Sequence, residues 1–262
     1  EIAILRAVCT PERIAVADGV DQFVRSSVAD WSAGIGRDQI RPRRLTRCLR
    51  MKANLALFVA DYADALGLQD WDLEPNPDAN GGRVLIVDGD LACQTAIYEQ
   101  VCADAARLGN YPVDLLACVP PSLVSHENGH AWSLPGRAFA AAGKKIWDAT
   151  SMDVREHFPT DRDALRLVQY DSCRGLEGWT VINYAFDEFW DYKYRQWVAS
   201  PQKPGNLFDT PEERAAAFAS RWAMIPLTRA MDTLVINVSA RPGIIRDALE
   251  HVYKHHHAKS KT

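Results

Sequence analysis

The sequence has 262 residues, enough for about one large domain, and 47% of them are hydrophobic, which excludes a disordered chain. The net charge of -4 gives no overall indication of nucleic acid, so any such surface must be a local cluster of Lys and Arg. No stretch approaches the roughly eighteen apolar residues of a membrane span, no signal peptide opens the chain, and the six cysteines form no C-x-x-C pair. We therefore expect reduced thiols in a cytoplasmic protein rather than disulfides or zinc.

The first part of the chain predicts the end of one lobe and a crossover. Residues 1–9 have the pattern of a helix end, and residues 13–17 are a short apolar run, typical of a buried strand, that Asp18-Gly19 ends. Residues 25–42, with their glycines and proline, predict a loop between two lobes. Because the sequence opens at Glu1 in what looks like the middle of a helix, we expect it to be a piece of a longer protein.

An arginine-rich segment follows. Residues 45–50 predict a strand, and residues 52–66 predict a helix that Gly67 closes. The arginines can form a solvated basic face or a phosphate contact, and the helix that follows favours the phosphate contact. They stand at positions 41, 43, 44, 47 and 50.

Strands and helices then alternate. This alternation indicates an α/β fold with a parallel sheet and right-handed crossovers. An acidic surface loop at residues 69–82 comes first. The predicted strands are residues 83–87, residues 113–119, one that begins at Lys144, and residues 164–170, and the predicted helices are residues 91–108 and 136–145.

Two polar clusters leave alternatives open. His126 and His130 stand four residues apart in a polar loop, where zinc is conceivable but a mobile loop is favoured, because no cysteine or further histidine accompanies them. The acids and aromatic residues at 187–195 could form a metal or general-base site, and we favour a surface segment. We therefore predict no metal site in this chain.

Two later stretches each join a polar loop to a β-branched run. Residues 169–182 read QYDSCRGLEGWTVI, and residues 224–236 read MIPLTRAMDTLVI. Between them, Thr210-Pro211-Glu212-Glu213 predicts a helix start, with Thr as N-cap and Glu at the third helical position, and the helix runs to about Ala223. A last helix is predicted from about Gly243 to Tyr253, followed by a basic tail over residues 255–262.

These two stretches resemble the motifs of one enzyme group. The first is similar to motif V of the UvrD/Rep group of superfamily 1 helicases, T-x-H-x-(A/S)-K-G-L-E. The second is similar to motif VI, (V/A)-x-L-T-R-A-x-x-x-L. Their order and spacing make the pair specific, and the resemblance extends from about Ile14 to Val238. It implies a RecA-like parallel sheet flanked by helices.

The resemblance assigns roles to individual residues. Arg229 of motif VI would be the arginine that stabilises charge on the γ-phosphate of ATP, and Arg50, at the position of motif IV, would be a second phosphate contact. Gln22 keeps its spacing from Asp18-Gly19 and would correspond to the glutamine of motif III, which contacts the γ-phosphate. Glu177 would accept a hydrogen bond from the ribose, and Gly175 would allow close backbone approach.

The loop that opens motif V would contact single-stranded DNA, and here the sequence departs from the family. Gln169 and Asp171 replace the family's Thr and His, and Arg174 replaces its Lys. Ser172 and the backbone would contact phosphates. Asp171 would repel a phosphate, and Arg174 keeps the charge of Lys but not its shape.

No P-loop sequence and no D-E-x-Q sequence occur in the chain. By the resemblance, residues 1–42 would be the end of a first RecA-like lobe, and residues 43–254 a second lobe without its own P-loop. ATP and Mg²⁺ would be held mainly by an N-terminal P-loop lobe of the same protein. The expected function is that of an ATP-dependent DNA helicase, as in DNA repair, that couples ATP hydrolysis to movement on single-stranded DNA. The alternative is a catalytically inactive helicase-like module that binds nucleic acid or protein.

Overall fold

The computed structural model describes residues 47–68, 71–92, 94–127, 129–200 and 210–259. The predictions for Gln22, for the strand at residues 13–17 and for the crossover at residues 25–42 lie outside the described residues.

A six-stranded sheet forms the centre of the described chain. The strands are β1 (Arg83–Asp88), β2 (Leu115–Val119), β3 (Val124–Glu127), β4 (His130–Ser133), β5 (Ile146–Asp148), β6 (Leu165–Gln169), β7 (Gly178–Asn183) and β8 (Ala230–Val238). The order in the sheet is β1-β8-β7-β2-β6-β5, and every neighbouring pair is parallel. A separate antiparallel hairpin pairs β3 with β4.

Helices cover both faces of the sheet, and the structure confirms the predicted α/β class with a parallel sheet flanked by helices. Parallel strands need long crossovers, and helices supply them. The α-helices are α1 (Ala53–Ala65), α2 (Ala96–Arg107), α3 (Leu134–Ala141), α4 (Met152–Arg155), α5 (Phe186–Ala199), α6 (Pro211–Leu227) and α7 (Ile244–Lys259).

Alternation along the strands divides the interior into two cores. In β2, Leu116 and Cys118 face one core, whereas Leu115, Ala117 and Val119 face the other. The first core receives apolar side chains from α1, α5, α6 and α7, and the second receives them from α2 and α3. Successive side chains of a strand point to opposite faces of the sheet, and both faces are covered here. Every residue of β2 is therefore apolar.

Several local predictions are confirmed. The helix after Lys52 ends where Gly67 adopts a positive φ of 74°. At the start of α6, Thr210 Oγ1 accepts from the Glu213 amide at 3.1 Å, and Glu213 Oε2 accepts from the Thr210 amide at 2.8 Å, which is the predicted reciprocal cap.

Other predictions are wrong. In the segment expected to be a strand, Arg47 makes a single bridge with Glu74, and residues 49–51 form bends. The loop predicted around His126 and His130 is the β3–β4 hairpin, because residues 124–127 pair with residues 130–133.

The remaining corrections concern helices. The acidic and aromatic segment at residues 187–195 lies in α5, and Phe189, Trp190 and Lys193 are buried because this helix packs on the sheet. Helix α2 begins at Ala96 rather than Leu91. Helix α7 ends at Lys259, so part of the predicted basic tail is helical.

Candidate phosphate site at the amino edge of the sheet

Glu177 and Arg229 become neighbours because β7 and β8 are adjacent and parallel. Each residue directly precedes its strand, and Gly178 pairs with Ala230. The Gly178 amide donates to the Arg229 carbonyl at 3.0 Å. Parallel strands begin at the same edge of a sheet, so the two segments that carry the family resemblance meet at the amino edge.

Arg50 joins these two segments to a third. Its Nη1 lies 2.5 Å from Glu177 Oε1, and its Nη2 donates to the Thr228 carbonyl at 2.5 Å. The backbone places it there, since the Lys52 amide donates to the Met231 carbonyl at 2.9 Å. One guanidinium therefore contacts the residue next to Arg229 and the carboxylate of Glu177 simultaneously.

Arg229 follows Thr228 in the chain and is only 7% exposed. Its Nε donates to the Ile225 carbonyl at 3.1 Å, and its Nη2 donates to Thr228 Oγ1 at 2.9 Å. Burial lowers the pKa of Arg229, and the charge of Arg50 lowers it further. Among the described residues, no carboxylate lies within ion-pairing distance of this guanidinium.

Arg166 is a site residue that the resemblance does not assign. It is 7% exposed, and its Nη2 donates to the Glu177 carbonyl at 2.6 Å. Burial lowers its pKa, and the charge of Asp114 opposes that change. Its Nε has no hydrogen-bond partner in the described part of the chain. The available signal in the sequence is an arginine between the apolar residues Leu165 and Leu167 of β6.

Arg50, Arg166 and Arg229 form what we call the arginine cluster. One carboxylate, that of Glu177, lies in contact with it through Arg50. Guanidinium groups are strong, geometrically defined donors to phosphate and carboxylate oxygens. Among the described residues, the three guanidinium groups outnumber the carboxylate in contact with them, and this suits a multiply charged anion.

Two glycines shape the backbone beside the cluster. Gly175 has a φ of 77°, a left-handed turn that other residues rarely adopt. A Cβ built on Gly178 would approach the Thr180 carbonyl oxygen at 2.8 Å and Leu116 Cβ at 3.1 Å. Gly178 thus allows β7 to start close to β2, and this fixes the position of Glu177.

The residues predicted to contact nucleic acid lie in the segment that leads across the sheet to Glu177. Gln169 ends β6 at the carboxyl edge, and Tyr170–Ser172 forms a short 3₁₀ helix. Asp171 is paired with Lys193 of α5, and the Arg174 guanidinium lies 4.9 Å from the ring centre of Trp222 in α6. We call residues 170–177 the β6–β7 loop.

The other titratable clusters of the described residues do not assemble a metal site. His130 Nδ1 lies 3.5 Å from Asp153 Oδ2, and both side chains are exposed. Across the ranges that the structure describes, no three His, Cys, Asp or Glu side chains converge to hold a metal ion. Within the same ranges, no helix is both long and apolar enough to cross a membrane.

Comparisons with known proteins find similarity to solved structures but none by sequence. No family model matches the sequence, and no curated protein matches it. A solved structure described as the C-terminal domain of a possible DNA helicase from Lactobacillus plantarum WCFS1 is similar with a TM-score of 0.39 and 11% identity. The similarity covers 78% of this chain and 97% of that one. It is too remote to assign a function to this chain.

Proposed function

We propose that this chain is the second RecA-like lobe of an ATP-dependent superfamily 1 DNA helicase that moves on single-stranded DNA. The observation that carries the proposal is the position of Arg50, which bonds Glu177 and the Thr228 carbonyl beside Arg229. Three segments far apart in sequence thus meet at one place, and this meeting supports the proposal because the resemblance to motifs IV, V and VI implies the same combination.

The proposed chemistry needs little from this lobe besides positive charge. Phosphoryl transfer is catalysed by positioning and by stabilising charge on the γ-phosphate oxygens. Arg50 and Arg229 would donate to these oxygens when an N-terminal P-loop lobe closes on ATP. Arg229 would then donate to phosphate oxygens in place of the Ile225 carbonyl and the Thr228 hydroxyl. Glu177 would accept a hydrogen bond from the ribose. Gln22 remains a proposed γ-phosphate contact.

Magnesium is assigned to the other lobe. The residues beside the arginine cluster do not fit a divalent cation, since Glu177 is the carboxylate in contact there and it is paired with Arg50. ATP and Mg²⁺ would therefore be held mainly by the P-loop lobe, and this chain would supply cations to the phosphates.

A second candidate function is an inactive helicase-like module that binds nucleic acid or protein. It is favoured by one observation, which is that Glu177 and Arg229 are both engaged by groups of the chain itself. A site that is never opened by ATP would have the same contacts. The helicase would hydrolyse ATP, whereas the binding module would not.

The test is ATP hydrolysis stimulated by single-stranded DNA, in a protein that carries this chain behind a P-loop lobe. We expect Arg229→Ala to lower the stimulated rate about a thousandfold, because an arginine of this type contributes roughly 10³–10⁵ in rate. Arg229→Lys keeps the charge but not the planar fork, and we expect only partial activity from it. We expect negligible hydrolysis by the isolated chain.

Circular dichroism of each variant controls for folding. Equal turnover by wild type and Arg229→Ala, both folded, would remove Arg229 from the mechanism. Absence of any stimulated turnover in the wild type would favour the binding module instead.

A further inference from the structure

Both carboxylates of the β6–β7 loop are paired with cations from other elements. Glu177 pairs with Arg50, and Asp171 pairs with Lys193. The repulsion of phosphate expected for Asp171 from sequence alone therefore depends on whether Lys193 stays in place.

Lys193 lies in a closely packed environment. Its side chain is 2% exposed, and its Nζ lies 2.7 Å from Asp171 Oδ1 and 2.9 Å from Oδ2. The ammonium also lies 3.7 Å from the ring centre of Trp222 and 3.2 Å from Gln196 Oε1. Burial lowers the pKa of Lys193, and the hydrogen bond to Asp171 opposes that change. A lysine is rarely this buried unless it is paired.

The exposure of the pair is asymmetric. The Asp171 side chain is 43% exposed, whereas Lys193 is enclosed. Lys193 therefore cannot contact a polynucleotide itself, and any effect that it has on binding must act through Asp171. This distinguishes it from a surface lysine that binds phosphate directly.

We infer that Lys193 is a positioning residue for nucleic-acid binding, which holds Asp171 in a neutral ion pair so that the β6–β7 loop can lie against a phosphate backbone. The inference rests on the proposed function, since it assumes that single-stranded DNA binds at this loop. It also explains how an aspartate can occupy the position where the helicase family has histidine.

The expected size of the effect follows from Coulomb's law. An unpaired carboxylate about 6 Å from a phosphate, at an effective dielectric constant of about 40, weakens binding about tenfold. Replacing Lys193 with Met keeps an unbranched apolar side chain against Trp222 and leaves Asp171 hydrated. The fold should therefore tolerate the change better than it would tolerate a buried, unpaired charge.

The experiment measures binding of a fluorescent oligothymidylate to the 262-residue chain by anisotropy at low salt. We expect Lys193→Met to raise Kd about tenfold, and the double variant Lys193→Met, Asp171→Asn to return Kd to within about twofold of wild type. A purely structural role for Lys193 would not be rescued by removing the opposing charge. If Lys193→Met does not fold, Lys193→Gln replaces it, with the same expected increase and the same rescue.

The outcomes separate the two ideas. Wild-type Kd from Lys193→Met, or a double variant as weak as the single one, overturns the role of Lys193 while the proposed function stands. Absence of oligothymidylate binding by the wild-type chain and by every variant overturns both.

Discussion

Arg50 shows how a single residue can join distant parts of the chain. Its two terminal nitrogens contact different groups, a side-chain carboxylate and a backbone carbonyl, 2.5 Å away in each case. A lysine has one nitrogen and cannot reproduce this fork. The side chains of Arg50 and Glu177 are 30% and 40% exposed, so water screens their attraction and the pair adds little to folding.

Because Arg50 adds little to folding but is proposed to contact phosphate, Arg50→Ala should affect activity much more than stability. We expect the free energy of unfolding to fall by less than about 1 kcal/mol, whereas kcat/KM for ATP in the two-lobed protein falls about a hundredfold, because a donor to the developing charge is lost. Urea unfolding and steady-state kinetics measure the two quantities.

Arg47→Ala is the matched control for Arg50→Ala. Arg47 lies in the same segment and is exposed, so the same charge is lost without the contacts to Glu177 and Thr228. We expect no change in either quantity. An equal loss of kcat/KM in both variants would mean that Arg50 acts only through net charge.

At the scale of single elements, local signals in the sequence predict well. Helix α6 begins at its predicted cap, and α1 ends just before Gly67, because capping and a left-handed glycine depend on a few adjacent residues. The strands before and after the β6–β7 loop follow from their β-branched and apolar runs. Helix α6 is longer than its sequence pattern predicts and includes Pro226, because packing on the sheet extends it to Leu227.

What cannot be predicted depends on contacts between distant residues. The hydrogen bond from Arg166 to the Glu177 carbonyl forms only when β6 and the β6–β7 loop come together. The contact of Lys193 with Trp222 forms only when the helices pack together. The turn residues of the β3–β4 hairpin suggest a loop, since cross-strand pairing is not visible in a short polar segment. For the same reason, the sequence alone does not show that Asp171 is paired.

The cap of α6 supports a prediction at this scale. Thr210→Ala removes the acceptor for the Glu213 amide, and we expect the free energy of unfolding to fall by about 1 kcal/mol. Thr210→Ser keeps the hydroxyl and should be nearly as stable as wild type. Helix α6 leads directly to Thr228 and Arg229, so the cap on its first turn stabilises the helix that positions Arg229.

Thermal or urea unfolding measures this loss. If Thr210→Ala and Thr210→Ser are equally stable, the hydroxyl does not cap the helix.

At the scale of the whole molecule, α7 closes the first core. Its side chains Ile245, Leu249 and Val252 are buried, and they pack in the core that includes Phe58 and Tyr62 of α1. Beyond them, the His256 side chain lies beside Asp61, with Nε2 and Oδ2 separated by 2.9 Å. Helix α1 begins just after Arg50, so the last helix of the described chain also supports the first segment of the arginine cluster.

Two truncations test this organisation. Ending the chain before Ile244 removes the three buried side chains of α7 and exposes the apolar residues of α1 in the same core. This loss of burial costs about 5 kcal/mol or more. That is comparable to the total stability of a typical domain, about 5–15 kcal/mol, so we expect no cooperative unfolding transition and aggregation in solution. Ending the chain after Tyr253 removes the His256–Asp61 contact but keeps the buried residues, and we expect a loss below about 1 kcal/mol. Urea unfolding with gel filtration compares the two. Native-like unfolding of the shorter chain would show that the sheet and α1 are stable without α7, and Arg50 would then be held by the amino edge of the sheet alone.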